Sequence, residues 1–175
     1  LIGCRDFAIV NLMLRTALRC IEVERLRCCD IEELGSHGYA LLIQRKGRVS
    51  RCEHIGVTKK TVDPLYDYLK YRRYPTDFSP LFVTADGRNA PLSAMTIGRI
   101  VRKRLIDCGL HSNKITAHSL RHTAAVLAIL NKVPIKEVQI MLGHKNPETT
   151  ELYLRSLDEE LRMDNPASKA LDNML

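Results

Sequence analysis

A mainly α-helical fold with one small antiparallel β-sheet, α+β in class, is what this sequence predicts. Three observations carry the prediction. Apolar residues recur at helical spacing through most of the chain, and the pattern becomes strand-like only between residues 39 and 57. The 175 residues, 45% of them hydrophobic, are also enough to bury the core of a single compact domain.

Taken in order, residues 5–17 carry apolar positions at helical spacing, and a second short helix covers residues 21–26. Tyr39 to Ile43, a turn at Lys46-Gly47, and residues 48–57 with Val49, Ile55 and Val57 read as a β-hairpin. Gly47 supplies the positive φ that its turn requires. Residues 61–74 read as a helix with Asp63 as N-cap and Pro64 at the first helical position. Residues 75–91 form a loop rich in turn formers around Leu81-Phe82-Val83. A helix from Ser93 to Cys108 is stopped by Gly109; its Arg99, Arg102, Lys103 and Arg104 are either a DNA-facing basic surface or a solvated face. A helix over 117–131 is followed by one opened at Pro134 and capped by Gly143. Asn146 and Pro147 start a third, which carries Tyr153, and an amphipathic tail runs from Asp158 to Leu175.

Composition narrows the function class. A formal charge of +7 favours polyanionic partners, because lysines and arginines that neutralise phosphates release condensed counterions. A basic but otherwise ordinary protein would carry the same charge. The six cysteines contain no C-x-x-C pair and do not form a disulfide framework; unpaired thiols fit a reducing cytosol. No apolar run approaches the roughly 20 residues that span a bilayer, so no membrane is expected. The chain opens on Leu1 and enters a helical pattern at once, which points to a fragment whose N-terminal domain is missing.

The densest chemistry is late in the chain. His118 and Arg121 are three apart on a predicted helix and leave it on one face. Arginine presents a planar fork of donors suited to phosphate, and histidine adds a donor or a titratable proton. On its own an H-x-x-R is also the mark of a capping histidine beside a surface arginine. His118 and His122 have the spacing of a helical zinc pair, yet Ser119 stands between them and no acidic or C-x-x-C cluster completes a ligand set. Tyr153, flanked by leucines, is a packing residue unless positive charge lowers its phenol from about 10 towards neutrality.

In combination, Thr116-Ala117-His118-Ser119-Leu120-Arg121, then Leu142-Gly143-His144, then Tyr153 nine residues on, resemble the catalytic domain of the tyrosine recombinases, or phage-type integrases. That resemblance asks for an earlier arginine in a T-G-L-R-x-x-E context. Thr16-Ala17-Leu18-Arg19-Cys20-Ile21-Glu22 supplies it, with Ala17 in place of the glycine. It also asks for a lysine on a hairpin turn. Lys46 sits there, with Arg45 as its competitor.

What the resemblance implies is a tyrosine recombinase catalytic-domain fold over residues 1–175 and a six-residue site that needs no metal and no cofactor. Arg19 and Arg121 would clamp the scissile phosphate, and Tyr153 would attack phosphorus to form a 3′-phosphotyrosine. Lys46 would protonate the 5′-oxygen, His118 would act as acid or base, and His144 would hydrogen-bond the phosphate. Glu22 would orient Arg19, and Arg45, Arg48, Arg99 and Lys103 would touch DNA. The implied partners are double-stranded DNA, three further copies in a homotetramer on paired sites (a monomer when isolated), and accessory DNA-bending or directionality proteins. The implied setting is the cytoplasm, at a bacterial-type nucleoid. A type IB topoisomerase and a DNA-binding module without catalysis are the alternatives. The L-G-H and T-T-x-x-Y arrangement favours the recombinase, and the presence of all six side chains argues against a module that has lost catalysis.

Overall fold

The computed structural model describes residues 1–72, 75–86, 88–112 and 114–143. The chain divides into two compact units, Leu1–Ala124 and Ala125–Leu175.

In the first unit, α1 (Ile2–Thr16) buries Ala8, Ile9, Leu12 and Met13, which recur every three or four residues and so form one stripe. The helix stops because Ala17 turns into the left-handed region, φ 53° and ψ 25°, where its N–H bonds the Met13 carbonyl at 2.9 Å. A short α2 (Cys20–Glu24) follows. A three-stranded antiparallel sheet comes next, β1 (Ile31–Glu33), β2 (Tyr39–Ile43) and β3 (Glu53–Val57), in the order β1-β2-β3. Leu41 lies opposite Ile31 and Ile55, and this face packs on the core.

Then come α3 (Lys59–Lys70), the loop through Leu81-Phe82-Val83, α4 (Ala94–Asp107), and α5 (Ala117–Leu130), which runs into the second unit. The core gathers Leu12, Leu41, Leu65, Phe82, Ile97 and Leu120, each contributing about 1.5–3 kcal/mol on burial. Tyr68 stacks on Phe82 with centroids 5.6 Å apart. Asp6 joins α1 to α4: its Oδ2 accepts from Arg104 Nε and Nη2 at 3.0 and 2.6 Å. Ser93 caps α4 by accepting the Thr96 N–H, and Gly109 leaves it at φ 87°.

The second unit is described as far as Gly143. The end of α5, a turn with Lys132 at φ 61°, and α6 (Ile135–Leu142) bury Ala125, Val138 and Leu142. Gly143 closes α6 at φ 56°, as its position after Leu142 predicts. The expected helix through Tyr153 and the tail from Asp158 lie outside the described residues.

Three expectations are corrected. Helix α3 begins at Lys59 with Thr58 as N-cap, so Asp63 and Pro64 lie inside it. The hairpin's second strand starts at Glu53, because residues 48–52 are held in a loop: the Gln44 amide donates to the carbonyls of Arg48 and Val49, both at 2.9 Å, and Val49 is 99% exposed. Strand β1, unforeseen, adds a third member to the expected hairpin. All six cysteines are free thiols, and no helix among the described residues is long and apolar enough to cross a membrane.

Candidate active site

The left-handed turn at Ala17 is the pivot of the site. It redirects the chain so that Leu18 is buried and Arg19 becomes the N-cap of α2, its side chain 29% exposed. Three residues on, Glu22 is fully buried and turns its carboxylate back on the cap. Glu22 Oε2 accepts the Arg19 N–H at 2.9 Å and Oε1 accepts Arg19 Nη1 at 3.1 Å. A buried carboxylate would be costly alone, and here charge-assisted bonds compensate it.

The same carboxylate reaches the hairpin. Glu22 Oε1 also accepts the backbone N–H of Lys46 at 3.1 Å, and Arg45 Nη1 lies 3.7 Å from Oε2. Lys46 follows Arg45 in a tight turn closed by the Arg48 N–H on the Arg45 carbonyl at 3.0 Å, with Gly47 at φ 79°. Lys46 itself is exposed. Arg45, expected at the DNA face, is instead 7% exposed: its Nε and Nη2 both donate to Glu53 Oε1, at 2.9 and 2.6 Å. Its long inward stem continues the alternation of Leu41 and Ile43, which places its head beside two carboxylates.

Helix α5 brings the third contribution. Its start is capped reciprocally, the Thr116 N–H donating to Ser119 Oγ at 3.1 Å and the His118 N–H to Thr116 Oγ1 at 3.2 Å. One turn in, Arg121 is 2% exposed and its Nη1 donates to the Ala17 carbonyl at 2.5 Å. That bond ties the two arginine motifs together across 104 residues of chain. His118 stands at the surface, and the atoms packed against its ring, followed by the charges of Arg121, Arg19 and His122, hold its pKa below the ordinary histidine value. The ring is therefore neutral at neutral pH, able to accept a proton on one nitrogen while donating from the other.

Beside His118 an open groove of about 400 Å³ runs between α4 and the start of α5, lined by Met95, Gly98, Arg99, Arg102, Thr116 and Ala117. Arg99, Arg102 and Lys103 are exposed on α4, and Arg48 is exposed on the hairpin loop. Lys103 pairs with Asp107 at 3.2 Å. Arg104 turns inward to Asp6 and so departs from the expected exposed face.

Arg19, Glu22, Lys46, His118 and Arg121 thus converge, while His144 and Tyr153 lie outside the described residues. Glu53 is the participant missed in the sequence, where nothing marked it: the register sets it across from Ile43, and inward alternation brings Arg45 to it. Among the described residues no group of three or more His, Cys, Asp or Glu side chains is placed to hold a metal ion. Two guanidiniums, each held by a hydrogen bond, and a neutral imidazole are a set suited to a tetrahedral anion, and Lys46 sits on the turn attached to the same carboxylate.

A model of the phage integrase family matches residues 2–160. The chain is 34% identical over 161 residues to the tyrosine recombinase XerC of Caldanaerobacter subterraneus subsp. tengcongensis, covering 90% of this chain and 43% of that protein. It is 31% identical over 174 residues to the tyrosine recombinase XerA of Pyrococcus furiosus, covering 98% of this chain and 57% of that protein. The chain therefore spans about half the length of these relatives. Among solved structures it resembles a XerA recombinase, with TM-score 0.72, 27% identity, and 93% and 59% of the two chains covered. The XerH site-specific recombinase bound to its palindromic difH substrate shares the fold, with TM-score 0.74, 22% identity, and 92% and 45% covered.

Proposed function

Because this chain belongs to the phage integrase family, we propose that it is the catalytic domain of a longer site-specific DNA recombinase, one that cuts and rejoins strands through a 3′-phosphotyrosine without metal or ATP. The observation that carries this reading is the bond from Arg121 to the carbonyl of Ala17, which sets the second arginine beside the turn that presents Arg19.

The two guanidiniums stabilise the charge that builds on the non-bridging oxygens as phosphorus becomes five-coordinate, and being prefixed they need not reorganise during the reaction. The Tyr153 oxygen attacks in line, its proton passing to the neutral ring of His118. The bond from phosphorus to the 5′-oxygen breaks, and Lys46 delivers a proton to that oxygen. Arg45 is unsuited to that step, since a guanidinium does not give up its proton in a protein. His144 donates a hydrogen bond to the phosphate. Religation reverses these steps with a new 5′-hydroxyl, so the bond energy is retained in the covalent intermediate.

The partner is duplex DNA, held through Arg99, Arg102, Lys103 and Arg48, and the working assembly is a homotetramer on two paired sites with accessory proteins setting direction. The setting is wherever the DNA lies, the cytoplasm of a bacterial-type cell. DNA duplexes of randomised sequence, incubated with the full-length protein and recovered as covalent adducts, would identify the site. Adducts should vanish in Tyr153→Phe, and Arg121→Ala should slow single-turnover cleavage by roughly two to three orders of magnitude. No adduct with any duplex, or an Arg121→Ala loss under about tenfold, would contradict the reading.

A further inference from the structure

The β2–β3 loop spans residues 44–52, and its tip is unpacked, with Val49 99% exposed. The position of Lys46 is therefore set at the base of the loop. Three attachments converge there. Glu53, the last residue of the ladder opposite Ile43, receives two bonds from the Arg45 guanidinium. The Arg45 carbonyl accepts both the Arg48 N–H that closes the turn and Arg25 Nη1 at 3.4 Å. The Lys46 N–H bonds Glu22. On the returning side of the loop, Arg51 donates to the Arg25 carbonyl and lies 3.4 Å from Asp30.

We propose that Arg45 and Glu53 are positioning residues for strand cleavage: a half-buried clasp across the base of the loop that fixes the turn on which Lys46 sits and so aims its ammonium at the leaving oxygen. The inference rests on the reading of Lys46 as proton donor. The pair is placed to act on Lys46 because residue 45 is the first position of the turn and residue 46 the second, so that a backbone rotation at Arg45 moves Lys46. Among the described residues, Arg45 is the side-chain partner through which Glu53 reaches the site. Its side chain is 39% exposed, so replacing it by the isosteric glutamine removes one charge and keeps an acceptor oxygen without opening the core.

A displacement of about 1 Å at a reacting group can cost up to about a hundredfold in rate, and with Glu22 and Arg51 still holding the loop a loss of about tenfold is expected for Glu53→Gln. The test uses the full-length protein and the captured duplex in two forms, one with the ordinary scissile phosphodiester and one with a bridging 5′-sulfur, whose thiolate departs without a proton. On ordinary DNA, Glu53→Gln should cleave about tenfold slower than wild type, and Lys46→Ala slower by at least about a hundredfold. On the sulfur-bridged duplex both should return to within about threefold of wild type, whereas Arg121→Ala, which acts on the non-bridging oxygens, should stay slow. Glu53→Gln equally slow on both duplexes, or at wild-type rate on ordinary DNA, overturns the clasp while leaving Lys46 as donor. A Lys46→Ala defect that the sulfur does not rescue removes the donor reading itself, and the clasp with it.

Discussion

His118 carries the clearest pH signature of any single residue in the site. Desolvation of its ring and the nearby Arg121 and Arg19 charges disfavour the imidazolium, so its pKa in the folded chain lies below the unfolded value of about 6.5. Between those two values the unfolded chain binds more protons than the folded one, and stability falls as the pH drops through that window. His118→Gln should therefore lose less stability than wild type when urea unfolding is compared at about pH 7 and pH 5. Equal losses would show that the ring is not under that pressure. An incoming phosphate reverses the sign, since an anion beside the ring favours the charged form. His118 and Arg121 stood out in the sequence by their spacing on one helix face, which alone left a capping histidine beside a surface arginine open, and Arg19 was singled out only by the resemblance to the tyrosine recombinases. Ala17 was legible as a departure but not as a strain: only the structure shows it in the left-handed region, at about 1–2 kcal/mol for a residue with a Cβ. Glu53 was invisible, since a lone glutamate in a strand has no pattern until the register places it across from Ile43.

At the scale of elements, α3 shows how a tertiary contact overrides a local rule. Proline is at home in the first turn of a helix, which made Pro64 look like a start. The helix instead begins at Lys59, and Pro64 leaves the Lys60 carbonyl without its helical donor. Asn11 on α1 supplies the missing bond, its Nδ2 donating to that carbonyl at 3.1 Å while its Oδ1 accepts Arg15 Nε at 2.9 Å. Asn11→Ala should cost about 1 kcal/mol. In a Pro64→Ala background, where the residue 64 N–H can take the carbonyl, the same change should cost less than about half of that, and a double-mutant cycle by denaturant unfolding measures the coupling. Additive effects would mean that Asn11 is not compensating the proline. The long helices α1, α4 and α5 were legible because their apolar stripes repeat over three or more turns. Strand β1 has three residues, too short for a period, and it exists because β2 offers it an edge. Residues 48–52 read as strand because Val49 supplied an apolar beat, yet that side chain faces solvent.

Across the whole molecule, the net charge of +7 is unevenly spent. Arg5, Arg19, Arg45, Arg51 and Arg104 are held by carboxylates within the first unit, so part of the positive charge that suggests a polyanionic partner holds the fold and the site together instead. Other cations face solvent. No ion pair among the described residues engages Arg48, Arg99 or Arg102, whereas Lys103 is already paired with Asp107. Each phosphate neutralised by a free cation releases counterions, and log K falls with log salt by about 0.9 per contact on duplex DNA. For the full-length protein on the captured duplex, Arg99→Ala should therefore flatten the salt dependence by close to one contact. Lys103→Ala should flatten it by less, because reaching a phosphate means leaving or sharing Asp107, so fewer net counterions are released. Binding isotherms across a salt series separate the two. Equal slopes for wild type and Arg99→Ala would take Arg99 off the DNA and leave Arg102, Lys103 and the hairpin as the outer contacts.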